Sequence, residues 1–189
     1  MQVQKLPQPV YLLTLSTWVQ INMKDSIQVF APATVANVVC GFDVLGFAVN
    51  EPGDEVIMRT TDKPGITISK ITGDNGRLPL DPAKNTVSVS VQHYLKSIDR
   101  TDIGLDIELH KKMPIGSGLG SSSASTVAGL FAAKTLLGDE TDVAKLLPFA
   151  MKGEEMACGH GHADNVAPAL MGGFVLIRSY EPLDVIRFP

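Results

Sequence analysis

The chain of 189 residues is long enough for one domain and part of another, and 44% of its residues are hydrophobic. This composition supplies a hydrophobic core without any need for a disulfide or metal, and it excludes an intrinsically disordered chain. The formal net charge of −4 argues against binding to nucleic acid or to an anionic membrane. Cys40 and Cys158 lie far apart in the sequence, as expected for two thiols in a reducing compartment, and we expect a cytoplasmic protein.

The N-terminal segment is fairly apolar over residues 10–21. Prolines precede this stretch, hydroxyl side chains interrupt it and no A-x-A cleavage site follows, which argues against a secretory signal. It is also too short to span a bilayer. Because regular patterning begins after Met23, we interpret residues 1–22 as an upstream extension and Met23 as the natural first residue. An added N-terminal strand or helix is the alternative.

The first half of the chain is predicted to be mostly β-structure. A loop is predicted over residues 32–46, a turn over 51–54 and a second loop over 72–84, since each is rich in turn-forming residues. Alternating hydrophobic residues predict the strands 27–30, 47–49, 55–60 and 66–71.

The second half contains more helix. Asn85 is suited to cap a helix whose apolar residues follow at helical spacing, although alternating valines also weakly favour a strand there. A further helix follows a glycine-rich loop and is closed by Gly138, and two helical pieces flank Pro148. Strands are predicted at 104–110, 173–179 and 184–188. Since strands and helices mix without strict β–α–β alternation, the predicted fold class is α+β.

The glycine-rich loop, P-I-G-S-G-L-G-S-S-S-A at residues 114–124, is the strongest chemical signal. Its glycines let the backbone approach an anion, and the helix N-terminus that follows favours a phosphate group. The loop lacks the Gly-Lys-Ser/Thr of a Walker A motif and the third glycine of a Rossmann fingerprint. We predict a phosphate-binding loop; a flexible turn before a helix is the alternative.

A second cluster, G-E-E-M-A-C-G-H-G-H-A-D-N, covers residues 153–165. It allows a transition-metal site made of Glu154, His160, His162 and Asp164, although glycines flank His160 and no third histidine is near. It also allows a Mg²⁺ ligand at Glu154 with polar contacts to a small substrate from the residues after it. A solvated loop is the third interpretation.

A third segment, residues 31–43, places Asn37 and Asp43 among apolar residues. By themselves these two would be ordinary turn residues.

The three segments together resemble the homoserine kinase family of the GHMP kinase superfamily. The motifs are P-A-T-x-A-N-x-x-x-G-F-D at 32–43, G-S-G-L-G-S-S at 116–122 and H-A-D-N-V-A-P-A at 162–169. The resemblance runs from about Ile27 to the end of the chain. It implies a GHMP kinase N-terminal, ATP-binding domain over residues 23–175 and the start of a C-terminal domain over 176–189.

The resemblance also implies an activity, the transfer of a phosphoryl group from ATP to L-homoserine in threonine biosynthesis, with Mg²⁺ and in a homodimer. Ser122 and Glu154 would hold Mg²⁺, and Asn165 would lie near the transferred phosphate, so Asn165 and Glu154 are the catalytic candidates. The implied homoserine ligands are Asn37, Asp43, His162 and Asp164. The implied ATP ligands are Asn85, Pro114, Ile115, Gly116, Ser117, Gly118, Leu119, Gly120, Ser121, Ser122, Ser123 and Ala124.

Family members also have a C-terminal domain whose arginines hold the substrate carboxylate. This chain has no arginine between Gly104 and Leu176. We therefore expect a truncated chain whose own activity is an open question. The alternatives are another GHMP kinase that acts on a different small alcohol, an inactive nucleotide-binding fragment and, least favoured, a metal hydrolase.

Overall fold

The computed structural model describes residues 19–22 and 26–188. The proposed start at Met23 and residues 1–18 of the predicted extension lie outside this range. Within it, seven strands form one sheet, three of the four helices contact that sheet, and the fourth packs against the other helices. None of these helices is long and apolar enough to cross a membrane.

The elements follow one another in a mixed order, which confirms the α+β class. The strands are β1 (Val19–Asn22), β2 (Ser26–Val38), β3 (Gly41–Thr61), β4 (Gly65–Thr72), β5 (Gly104–His110), β6 (Phe174–Tyr180) and β7 (Leu183–Phe188). The helices are α1 (Thr86–Ser97), α2 (Ser121–Leu136), α3 (Leu147–Cys158) and α4 (Ala163–Met171), with short 3-10 turns at Pro82–Lys84 and Val143–Leu146.

The long strand β3 organises the sheet. It pairs with β2 along most of its length, with β5 through Glu55–Thr61 and with β6 through residues 45–47. The order is β1-β2-β3-β5-β4, and the β6–β7 hairpin joins through β3. All pairs are antiparallel except β4 with β5. Strand β3 therefore links the part of the sheet that pairs with β6 to the part that pairs with β5.

The core lies between the sheet and the helices. Along β5 the buried side chains of Leu105, Ile107 and Leu109 alternate with less buried polar ones, the pattern of a strand with one covered face. Helix α2 packs closely because small residues line it: a Cβ on Gly129 would lie 2.4 Å from Cγ1 of Val87 in α1. This close packing holds the helix that follows the glycine-rich loop.

Most of the predicted elements are confirmed. The strands at 66–71, 104–110, 173–179 and 184–188 correspond to β4, β5, β6 and β7. Asn85 caps α1, its side chain accepting from the Val87 N–H at 3.2 Å, which rules out the strand alternative. Gly138 follows α2 with a φ of +65°, and Pro148 lies in the first turn of α3, where the chain restarts a helix.

The prediction of a loop over 32–46 and a turn over 51–54 is wrong. Strands β2 and β3 continue through both segments as one long hairpin. The proline and asparagine that suggested loops are accommodated by shifts in register, one next to Pro32 and one next to Val38. Pairing between two long strands thus overrides the local turn signals.

The prediction also contained no helix over 163–171, where α4 lies. Pro168 sits inside this nine-residue helix, and a proline in that position is ordinarily a sign that a helix is broken. The helix is buried along most of its length, against β2 and β3 and next to α2, so tertiary packing supports it.

Candidate active site

A cavity of about 670 Å³ lies between the glycine-rich loop and the segment that enters α1. Of the residues predicted to contact ATP, those lining it are Asn85, Ile115, Gly116, Ser117, Gly118, Leu119, Gly120, Ser121, Ser122 and Ser123. Pro114 lines a smaller neighbouring pocket of about 250 Å³, and Ala124 is completely buried in the core. The wall opposite the loop includes Leu78, Pro79 and Lys84, which were not predicted.

The loop backbone is arranged to leave donors free. Gly116, Gly118 and Gly120 have φ values of +78°, +75° and +65°, which only glycine adopts at little cost. A Cβ on Gly120 would lie 2.0 Å from Oγ1 of Thr34, so that position also has no room for a side chain. Among the described residues no side chain caps α2, and its first N–H groups are therefore available to a bound anion.

A buried ion pair that sequence reasoning missed supports this loop. The Lys111 ammonium bonds the Asp54 carboxylate, and it also donates to the Ser121 carbonyl at 2.8 Å and to Oγ of Ser125 at 2.6 Å. The same carboxylate accepts from the Lys112 N–H at 2.9 Å and from the hydroxyls of Ser121 and Ser125 at 2.8 and 3.0 Å. The end of β5 is thereby tied to the first turn of α2.

Burial lowers the pKa of the Lys111 ammonium, and the charge and hydrogen bond of Asp54 oppose that effect. Sequence offered only a weak signal for the pair, a lysine and an aspartate that lie 57 positions apart. They meet because β3 and β5 pair with Glu55 opposite His110. The contact therefore depends on register, which local sequence does not show.

Glu154 is a buried carboxylate with unused bonding capacity. Its Oε1 atom has no hydrogen-bond partner among the described residues. Burial raises the pKa of Glu154, and the hydroxyls of Ser122 and Ser123 oppose that rise by hydrogen bonding to it. An orphaned carboxylate oxygen beside serine hydroxyls fits the oxygen ligands that Mg²⁺ prefers.

The residue before Glu154 allows this placement. A Cβ on Gly153 would lie 2.2 Å from Oγ of Ser90 in α1, so the close approach of α3 and α1 requires glycine. The structure thus brings Glu154 and Ser122, the predicted Mg²⁺ ligands, to the same cavity.

The four residues Asn37, Asp43, His162 and Asp164, which we call the polar cluster, come from two distant segments. Asn37 and Asp43 flank the tip of the β2–β3 hairpin, and Oδ1 of Asn37 accepts from the Asp43 N–H at 2.9 Å. Nδ1 of His162 lies 3.6 Å from Oδ1 of Asp43. Asp164 is buried in the first turn of α4.

The polar cluster concentrates negative charge. Burial raises the pKa of Asp164, and the charge of Asp43 raises it further while His162 acts in the opposite direction. Two carboxylates that disfavour each other's ionisation are stabilised by a cation placed between them. The arrangement therefore suits the ammonium group of a small ligand.

Asn165 connects the polar cluster with the cavity. It lines the cavity, and it follows Asp164 directly in α4. Its Oδ1 atom accepts from the Thr34 hydroxyl at 2.8 Å, and the Thr34 N–H donates to the Leu119 carbonyl of the loop at 3.0 Å. Sequence reasoning did not single out Thr34, although it lies in the first of the three motifs.

The alternative of a transition-metal site finds no support in the part of the chain that is described. No group of three or more His, Cys, Asp and Glu side chains lies there in a position to hold a metal ion. His160 is exposed, and its ring centroid lies 5.8 Å from that of His162.

Comparison with known proteins agrees with this geometry. Residues 85–173 match the family model described as GHMP kinases N terminal domain. The homoserine kinase of Chlorobium phaeovibrioides is 53% identical over 174 residues, which cover 87% of this chain and 54% of that protein. The homoserine kinase of Arabidopsis thaliana is 44% identical over 169 residues, which cover 87% of this chain and 45% of that protein. The chain thus spans about half the length of these relatives.

Solved structures show the same fold. A crystal structure of homoserine kinase from Cytophaga hutchinsonii has a TM-score of 0.85 and 66% identity, covering 88% of this chain and 53% of that one. The mevalonate kinase of Methanococcus jannaschii has a TM-score of 0.67 at 16% identity, covering 86% of this chain and 55% of that one. The second likeness concerns the fold alone.

Proposed function

We propose that this chain, which has the fold of a GHMP kinase N-terminal domain, serves to phosphorylate the side-chain hydroxyl of L-homoserine with ATP, in threonine biosynthesis. The position of Asn165 carries this proposal. It lies where the loop-lined cavity meets the polar cluster, bonded to Thr34 and adjacent to Asp164. A nucleotide in one site and an amino acid in the other would therefore meet at this residue.

The cavity supports the nucleotide part of the proposal. Its volume of about 670 Å³ lies within the usual range of small-molecule sites. The loop glycines and the free N–H groups of α2 would bind the phosphates, with Asn85 at the opposite wall for the base. Ser122 and Glu154 would hold Mg²⁺, which when bound supplies charge neutralisation for the phosphates.

The polar cluster supports the acceptor part. Asp43 and Asp164 would bind the ammonium group of homoserine, and Asn37 and His162 would complete its polar contacts. A phosphorylated acceptor, by contrast, would need cationic side chains, and two carboxylates would repel it. The acidity of the polar cluster thus favours an amino-acid alcohol among the acceptors of GHMP kinases.

The reaction itself needs positioning more than covalent help from the protein. The homoserine hydroxyl oxygen would form a bond to the γ-phosphorus of ATP as the bond from that phosphorus to the bridging oxygen breaks, and the hydroxyl proton would be released to solvent. The products are ADP and O-phospho-L-homoserine. We assign Asn165 to contact the transferred group and the polar cluster to orient the hydroxyl. The proposal includes the cytoplasmic location and the homodimer that the resemblance implies.

An ADP-release assay with ATP and Mg²⁺ tests the proposal, with L-homoserine, mevalonate and galactose as parallel acceptors. We expect turnover with homoserine alone. Asp43→Asn should raise the KM for homoserine and leave the KM for ATP unchanged, while Asp184→Asn, at an exposed carboxylate paired with Arg178, should change neither. Turnover with mevalonate or galactose in place of homoserine would contradict the proposal.

A further inference from the structure

The phenol of Tyr180 lies between the two segments that form the polar cluster. Tyr180 is the last residue of β6. Its hydroxyl donates to the Asp43 main-chain carbonyl at 2.7 Å and accepts from the Ala163 N–H at 3.2 Å. One side-chain oxygen therefore joins the hairpin tip to the first residue of α4.

A small movement of either hydrogen-bond partner of this hydroxyl, Asp43 or Ala163, would shift residues of the candidate acceptor site. Asp43 has a φ of +58°, a left-handed conformation that a non-glycine residue adopts at some cost. Ala163 is fully buried, and its N–H is one of the donors at the start of α4 that have no partner within the helix. Asp164 and Asn165 follow it directly.

Within the described residues, few other polar contacts join Asp43 to the start of α4. His162 lies 3.6 Å from Asp43, and its side chain is 41% exposed. Backbone contact further along is close, since a Cβ on Gly46 would lie 1.9 Å from the Asp164 carbonyl. That contact holds α4 against β3 at Gly46. The Tyr180 hydroxyl sets the separation between Asp43 itself and the start of α4.

We propose that Tyr180 is a positioning residue: its hydroxyl holds Asp43 and the first turn of α4 at a fixed separation, so that the carboxylates of Asp43 and Asp164 are set to bind the acceptor's ammonium group. This role rests on the proposed function, because it concerns the acceptor site of the same reaction. It is exerted through Asp43, Asp164 and Asn165, and Tyr180 itself need not touch the substrate.

The chemistry of the phenol fits a permanent link. Burial raises the pKa of Tyr180, the hydrogen bond from the Ala163 N–H partly opposes that rise, and the charges of Asp164 and Asp43 add to it. The hydroxyl therefore keeps its proton at neutral pH and donates to the Asp43 carbonyl throughout the range in which the enzyme would work.

The variant Tyr180→Phe removes only the hydroxyl and tests the role. A matched control is Tyr94→Phe, because the Tyr94 hydroxyl is also hydrogen-bonded, to Asp139 at 2.6 Å, but lies outside the polar cluster. Three quantities are measured on the full chain: amide hydrogen exchange at Ala163, the Kd for L-homoserine and the Kd for ATP with Mg²⁺.

In Tyr180→Phe we expect faster exchange at Ala163, a Kd for L-homoserine about tenfold higher and an unchanged Kd for ATP, from the loss of one anchoring hydrogen bond. Tyr94→Phe should leave all three as in the wild type. Exchange at Ala163 and a homoserine Kd that stay at wild-type values in Tyr180→Phe would overturn the inference. A general loss of structure would instead weaken ATP binding as well, and that result also overturns it.

The two levels of the proposal remain separable. If the wild-type chain binds no L-homoserine, the proposed function fails. Exchange at Ala163 still reports then whether Tyr180 holds the start of α4: faster exchange in Tyr180→Phe supports the anchoring, and unchanged exchange overturns it.

Discussion

The glycine-rich loop and the polar cluster, the two halves of the candidate site, are built in different ways. The loop is one continuous segment. The buried ion pair of Asp54 and Lys111 fixes its C-terminal end by hydrogen bonds to the first turn of α2. The polar cluster is assembled from a hairpin tip and the start of α4, which Tyr180 joins, and few hydrogen bonds among the described residues hold it. Substitutions that disturb the loop should therefore lower the stability of the fold, and substitutions in the polar cluster should mainly change acceptor binding.

The largest effect should come from Lys111→Met. The variant leaves the Asp54 carboxylate buried without its cation, and the free energy of unfolding should fall by about 3 to 5 kcal/mol in urea denaturation. Lys112→Met is the control, because that lysine pairs with Glu55 but is 53% exposed. Its loss should cost at most about 1 kcal/mol. Equal losses of stability in the two variants would contradict the claim that the buried pair beneath the loop stabilises the fold more than an exposed pair does.

Gly120→Ala should follow. The new Cβ would clash with Thr34 at 2.0 Å and would force alanine into a left-handed φ of +65°. We expect a loss of about 2 to 4 kcal/mol in stability, of which roughly 1 to 2 is the backbone term, together with weaker ATP binding. Gly116→Ala carries the backbone term alone, since a Cβ there meets open space. Calorimetric melting of both variants separates the clash from the strain.

Asp164→Asn should change the other half of the site. Because it removes one of the two carboxylates offered to the ammonium group, the Kd for L-homoserine should rise roughly 10- to 100-fold, as for a lost charged hydrogen bond. The Kd for ATP should stay within a factor of two, which calorimetric titration can resolve. A matching loss of ATP affinity would mean that the two halves are not separable.

The smallest effect concerns pH. Burial raises the pKa of Glu154 above its ordinary value of 4.5, so the folded state holds its proton more tightly than the unfolded chain does. The stability that this proton provides is complete below pH 4.5 and is lost as the pH rises through the higher folded value. Glu154→Gln should therefore fall less in stability than the wild type as the pH is raised above 4.5. If urea denaturation shows the same loss of stability with rising pH in both proteins, burial does not raise the pKa of Glu154.

The two halves also differ in how far the sequence revealed them. The loop, the Asn85 cap and β5 depend on local signals, namely glycine spacing, a capping residue and strict alternation, and all three were predicted. The β2–β3 hairpin was not predicted, because Pro32 and Asn37 resemble turn residues until the partner strand is known. Helix α4 was missed because of Pro168.

The residues that support the site were the hardest to find. Asp54 contacts Lys111 across 57 positions of the chain, and Tyr180 contacts Asp43 across 137 positions and Ala163 across 17. Nothing in their immediate sequence marks them as partners, because their contacts follow from sheet register and helix docking. The motifs predict which residues carry the chemistry, and sheet register and helix docking determine what holds those residues in place.

The most direct test of the central claim is a calorimetric titration of the chain with L-homoserine in the presence of Mg²⁺ and a non-hydrolysable ATP analogue, with mevalonate as the comparison ligand. If Asp43, Asp164 and Asn165 form an amino-acid site beside the nucleotide cavity, homoserine will bind at one site per chain and mevalonate will not bind. Binding of mevalonate in preference to homoserine, or equal binding of both, would contradict the account.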